Sequence, residues 1–186
     1  TTSAAVIDFQ SLENNNSSIN PQGFAYSEDG FSLINQANQI SQYPFATFGT
    51  THILYQGSTA LFNDTVGGTT ELTKTGGGAF DLFSIDLAEL NGAGVVDVTF
   101  NGFFSGGGNI TQTFTLDGIV GAFETFLFSG FTGVTKVTWT QDSPFHQFDN
   151  ITTDVSAVPV PAAALLFAPA LLGFIGLRRK AKQTVV

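Results

Sequence analysis

From residue 94 onward the chain alternates, and this restricts its fold more than any other feature. Val96, Val98 and Phe100 take turns with Asp97, Thr99 and Asn101; Ile110, Phe114 and Leu116 take turns with Thr111, Thr113 and Thr115. A period of two sends successive side chains to opposite faces of a strand, so each run predicts a strand with one face buried and the other wet. Gln112 breaks the rule by falling on the apolar face. Ser105-Gly106-Gly107-Gly108-Asn109 joins the two runs and suits a hairpin loop longer than the tight two-residue kind. Val137 and Trp139 give a third alternating strand, which puts Trp139 in the core.

Further strands are predicted over residues 4–10, 30–34, 44–48, 69–73, 79–87, 123–128 and 145–153, around the alternating segments 94–103, 110–116 and 134–141. A polar loop is expected at 13–20, which includes three consecutive Asn residues, while 52–68 reads as partly loop. The chain carries 20 Phe, and Phe with Val, Ile and Thr favours half-buried strands. Gly, Asn, Asp and Ser punctuate these runs at short intervals, as in sandwiches and barrels. Helical periodicity is missing from the body except for a single turn at 86–91. The expected fold is therefore all-β: an antiparallel β-sandwich of jelly-roll type, with a closed barrel as the alternative. Residues 1–157 form the sandwich domain, and residues 158–186 form a separate tail with an apolar helix.

Charge divides between the two parts. Residues 1–157 hold all 15 acidic side chains and only Lys74 and Lys136 as basic ones, a formal balance of −13 against +4 for the tail. Nucleic acid is not an expected partner, since binding it relies on neutralising phosphates with Lys and Arg. An acidic body rich in Asn, Thr, Ser and Gln suits a solvated extracellular surface. There is no Cys, which removes disulfides, thiol nucleophiles and thiolate metal sites. There is also no Met, and the expectation is a chain that starts after removal of a signal peptide.

The tail orders three features: Val158-Pro159-Val160-Pro161, an apolar stretch over 162–177, and Arg178-Arg179-Lys180. The stretch is uncharged and 16 residues long, short of the ~20 that usually span a bilayer; counting from residue 158 brings it to that length. The basic cluster that follows would hold its end in the cytoplasm and leave the body outside. A core helix of a soluble domain is the competing reading, but 162–177 shows no polar face at a helical period.

This order resembles the PEP-CTERM sorting signal of Gram-negative bacteria, through Val158, Pro159 and Pro161, then Ala162-Ala163, Leu165-Leu166-Phe167, Leu171-Leu172-Gly173 and Arg178-Arg179-Lys180. The Glu that names the motif is Val160 here, a departure that bears on cleavage more than on targeting. The resemblance implies export, transient tethering in the inner membrane through 162–177, processing by an exosortase-type membrane protease, and delivery to an exopolysaccharide-rich cell surface or matrix. Residues 80–151 are also similar to the jelly-roll ectodomains of such proteins and to carbohydrate-binding modules of the galactose-binding type.

Catalytic chemistry finds few residues. His52 and His146 are too few for a histidine-rich metal centre, no nucleophile elbow or HExxH is present, and the glycine runs at 75–79 and 106–109 sit between strands, as turns do. The acidic pair Glu28-Asp29 could serve a glycosidase only with suitable geometry. Jelly-roll carbohydrate modules often carry a structural calcium joining the first and last strands, and this likeness makes Asp8 and Asp149 candidate ligands. Calcium takes six to eight oxygens, so Asn150, backbone carbonyls or water would have to complete the site; the alternative is that Asp149 accepts backbone hydrogen bonds and Asp8 is exposed. Sugar binding needs exposed aromatic platforms, for which Tyr26, Tyr43, Tyr55, Trp139 and His146 are the candidates. The expected function is that of an exported, non-catalytic surface or matrix protein, structural or carbohydrate-associating. A self-assembling filament whose retained tail packs between subunits, and a secreted hydrolase, are the alternatives.

Overall fold

The computed structural model describes residues 3–36, 45–90 and 94–155. Within them the chain is all-β, with thirteen strands: β1 Ser3–Ile7, β2 Ile19–Gly23, β3 Ala25–Glu28, β4 Phe31–Asn35, β5 Phe45–Phe48, β6 Phe62–Asn63, β7 Thr69–Lys74, β8 Leu82–Glu89, β9 Asp97–Phe104, β10 Asn109–Thr115, β11 Glu124–Leu127, β12 Val134–Thr140 and β13 His146–Val155. One sheet has the order β1-β13-β8-β11, a second β10-β9-β12-β7-β4-β3, and a small third β2-β5-β6. The pairings are antiparallel. Among the described residues the one helical element is a 3-10 turn, Gln10–Leu12, and no helix is long and apolar enough to cross a membrane. The tail, including Val158, Pro159, Val160, Pro161, Arg178, Arg179 and Lys180, lies outside the described residues, as does Tyr43.

The alternation foreseen in the sequence builds the core. Val96, Val98 and Phe100 are buried, and Leu116 and Trp139 join them, in a single apolar cluster fed by both large sheets. Trp139 on β12 meets Phe148 on β13 edge to face at 5.0 Å, and Phe114 on β10 stacks on Phe126 of β11 at 4.8 Å. Each contact crosses from one large sheet to the other, so the two form a sandwich. Aromatic pairs at such spacings add to the stability gained from burial alone.

Gln112, the exception in the pattern, proves to be a clamp between the sheets. Its Nε2 donates to the Leu127 carbonyl at 3.1 Å and its Oε1 accepts from the Ser129 N–H at 2.9 Å. A side-chain amide thus does for the β10–β11 edges what a backbone amide does inside a sheet.

Two expectations need correction. The described part of 86–91 is no helical turn: β8 runs through Glu89, and Asp86 finds side-chain donors in Thr125 at 2.6 Å and Asn150 at 2.9 Å without leaving the strand. Strand β2 begins at Ile19, inside the expected polar loop, and pairs with β5. The 52–68 segment is partly loop, as expected, and contributes β6, which pairs with β5. Glu28 ends β3 and Asp29 opens the turn that follows. Asp29 and Gly30 take positive φ (47° and 81°) in the tight turn that joins β3 to β4, as this hairpin type requires. Glu28 Oε2 accepts the N–H groups of Asp8 and Phe9 at 3.0 and 3.1 Å, holding Phe9 at φ 56°, a left-handed conformation uncommon for a bulky side chain.

Candidate binding cleft

Strand β5 is buried on both faces, which hides it from any reading based on alternation. One face points into the main core through Phe45. The other belongs to a second, smaller cluster of Ala46, Phe48, Phe62 and Leu90. Antiparallel pairing of β5 with β6 sets Ala46 opposite Phe62, and the Phe48 and Phe62 rings stack at 4.7 Å and 18°. His52 stacks on the other side of Phe48 at 4.4 Å and 21°, giving a wall of three parallel rings.

The loop after β5 is tightly determined. Gly49 N–H donates to the Ser18 carbonyl, Thr50 N–H to Asn14 and Thr51 N–H to Asn16. A side chain at position 49 would collide with Asn16, so only glycine brings the loop this close. His52 N–H returns to the Gly49 carbonyl, and His52 Nδ1 accepts the Leu54 N–H at 3.1 Å. In the neutral ring the proton therefore sits on Nε2, which remains available as a donor.

These elements border a cleft of about 330 Å³, within the usual size of small-ligand sites. Phe48, His52 and Phe62 supply the stacked wall; Ile19, Leu54, Leu90 and Phe145 add apolar surface, and Asp64 adds a carboxylate. Asn63, whose Oδ1 accepts the Thr65 N–H at 3.2 Å, fixes the turn that carries Asp64. Partial burial pushes the Asp64 carboxyl above its ordinary range. The cleft thus combines an apolar lining, of which Phe48 and Phe62 are 5% and 2% exposed, with an acceptor at Asp64 and a donor at half-buried His52.

The expected aromatic platforms are elsewhere. Trp139 and His146 are buried, the latter 1% exposed. Tyr26 packs on Phe9 at 5.3 Å and its hydroxyl meets Ser11 Oγ at 2.8 Å, so its role is structural. Tyr55 packs against the small cluster that forms the cleft wall. Among the described residues weighed from sequence as sites, His52 alone lines the cleft.

Asp8 directly follows β1 and Asp149 lies within the neighbouring strand β13, where the Asp8 charge acts on its carboxyl. Asp149 sits at a bulge in β13, where Asn150 takes φ 45° and the register against β8 shifts. Its Oδ1 accepts the Asn150 N–H at 2.8 Å, and the residue is buried. Burial pushes this carboxyl up to about 6; Ser58 and the Asn150 N–H oppose the rise, and the Asp86 and Asp8 charges add to it. Asp8 Oδ1 accepts the Gln10 N–H at 3.0 Å. The donors are hard oxygens, which fits calcium by chemistry.

No protein-family model and no curated protein matches the chain. Among solved structures it is similar to variants of a family 29 carbohydrate-binding module, one at 12% identity over 85% of this chain and 99% of that one with a TM-score of 0.45, another at 10% over 83% and 92% with a TM-score of 0.44. It also aligns with the CBM22-1–GH10 modules of a Clostridium thermocellum endo-1,4-beta-D-xylanase, at 15% identity over 82% of this chain and 28% of that one, TM-score 0.37.

Proposed function

We propose that this protein is an exported, non-catalytic surface or matrix component of jelly-roll type that associates with carbohydrate through the cleft beside β5 and β6. The observation that carries the reading is the cleft itself, where half-buried His52 and Asp64 stand beside an apolar lining of Ile19, Leu54 and Phe145. Sugars offer C–H faces to aromatic rings and hydroxyls to carboxylate and imidazole groups, and such sites pair apolar walls with a few oriented polar groups. The acidic pair considered for hydrolysis is instead committed to a turn and to the Asp8 and Phe9 amides.

Delivery follows from the tail: export, tethering through 162–177, recognition of Val158-Pro159-Val160-Pro161 and Arg178-Arg179-Lys180 by an exosortase-type protease, and arrival at an exopolysaccharide-rich surface. A structural calcium held by Asp8 and Asp149 completes the proposal, supported by the buried Asp149 carboxylate and the Asp8 charge that acts on it; when bound, it would neutralise their charge and tie the first strand to the last. Probing the full chain, in mild detergent, against a glycan array tests the carbohydrate reading. Capture of particular glycans by the wild type and their loss in His52→Ala is the expected result. Capture unchanged in His52→Ala would remove the cleft from consideration.

A further inference from the structure

We infer that Glu89, Asp117 and Glu124 form a divalent-cation site, best suited to calcium, at the junction of β8 with β11 and the loop that leads into β11. The inference is independent of the cleft and of Asp8 and Asp149. Among the described residues, these three carboxylates alone form a group whose ligand oxygens, one from each, all lie within 4.8 Å of one another. Clusters of acids occur on many surfaces without an ion; Glu89 distinguishes this one. It is 0% exposed, and its Oε2 is buried with no hydrogen-bond partner. A buried carboxylate oxygen without a proton donor is costly unless a cation supplies the missing charge.

The loop is arranged to hold the three groups together. Glu124 Oε1 accepts the Asp117 N–H at 3.0 Å, Glu89 Oε1 accepts the Gly118 N–H at 2.6 Å, and Asp117 Oδ1 accepts the Ile119 N–H at 2.8 Å. Three consecutive amides thus fix one oxygen of each carboxylate. Gly118 takes φ 82° in this turn, which favours glycine. No side-chain cation offsets the cluster: the described residues contain two basic side chains, Lys74 and Lys136, and the ion pair between Lys136 and Glu71 at 3.6 Å is the one found among them.

Donor chemistry selects the metal class. The three side chains offer oxygen and neither imidazole nor thiolate, which favours hard cations over zinc or copper. A ligand set drawn from two strands and a turn, completed by carbonyls or water, suits the adaptable six-to-eight-fold shell of calcium better than the strict octahedron of magnesium. The next residue after Glu89 is Leu90, which lines the cleft, and Gln56 Nε2 donates to the Glu89 carbonyl at 3.0 Å. A cation here would brace the strand end from which one wall of the cleft is built.

The test is calorimetric titration of the chelator-stripped full chain, in mild detergent, with calcium chloride alone. Wild type should bind, and Glu124→Gln and Asp117→Asn, both at accessible positions, should each weaken binding by on the order of tenfold or more. Amide exchange at Gly118 and Ile119 should slow when calcium is added to wild type and not to these variants. Asp149→Asn should leave this site intact, which separates it from a calcium held by Asp8 and Asp149. The inference is overturned by an absence of calcium binding in wild type, by unchanged affinity in both Glu124→Gln and Asp117→Asn, or by a loss confined to Asp149→Asn.

Discussion

His146 and Asp149 lie on the same strand and respond to acid in opposite senses. Complete burial lowers His146 from 6.5 to about 4, so it is neutral in the fold while the unfolded ring gains a proton below 6.5. Its contribution to stability is present above 6.5 and is lost as pH falls toward 4, by roughly 3 kcal/mol in all. Burial raises Asp149 from 3.8 to about 6. Its contribution is fully present below 3.8 and is lost as pH rises through 6. In calcium-free buffer the stability gap between His146→Gln and wild type should therefore shift in favour of the variant as pH falls from 6.5 to about 4. The gap for Asp149→Asn should shift toward wild type as pH falls from about 6 to 3.8. Urea denaturation of the full chain across this range measures both, and pH profiles parallel to wild type would show that neither residue is buried as described. Glu28 makes a second residue-scale case. Its Oε2 holds two amides beside a left-handed Phe9, so Glu28→Ala should cost about 2 kcal/mol in the same assay.

At the scale of elements, β10 shows how much a pattern can carry. Its alternation with β9 put Phe100, Phe114 and Leu116 inside correctly, and its single exception, Gln112, marks where the sheets are joined by a side chain. Gln112→Ala strands the Ser129 N–H and the Leu127 carbonyl, and should cost about 1 kcal/mol and speed amide exchange at Ser129; unchanged exchange there would mean the clamp is not formed in solution. Strands β9, β10 and β12 were legible because each has one wet face. Strand β5 was foreseen over 44–48 but its burial on both faces was not: all of β5 is buried, and at the end of β8 Ala88, Glu89 and Leu90 are buried in succession. A period of two vanishes where a third sheet covers the second face. The cleft was missed for the same reason, since Phe48, Phe62 and Leu90 become a wall only when β6 and β8 meet β5. The segment 86–91 reads as a short turn in the sequence, and the partners of Asp86 and Glu89, namely Thr125, Asn150 and Gly118, come from 29 or more positions away in the chain.

For the whole molecule, the acidic body and the basic, apolar tail make different demands. The body buries much of its aromatic load in a sandwich; an apolar sequence such as 162–177 favours hydrocarbon over water. If the tail is a sorting signal, protein recovered from the cell surface should have an intact mass ending near Pro161, and a mass that includes Val186 would contradict processing. The central claim concerns the cleft, and the most direct measurement is calorimetric titration of the full chain with an oligosaccharide captured on the array. We predict that Asp64→Asn and His52→Ala each weaken binding by about tenfold, about 1.4 kcal/mol, while Glu124→Gln, outside the cleft wall, retains measurable binding in calcium-replete buffer. Wild-type affinity in both Asp64→Asn and His52→Ala would contradict the account.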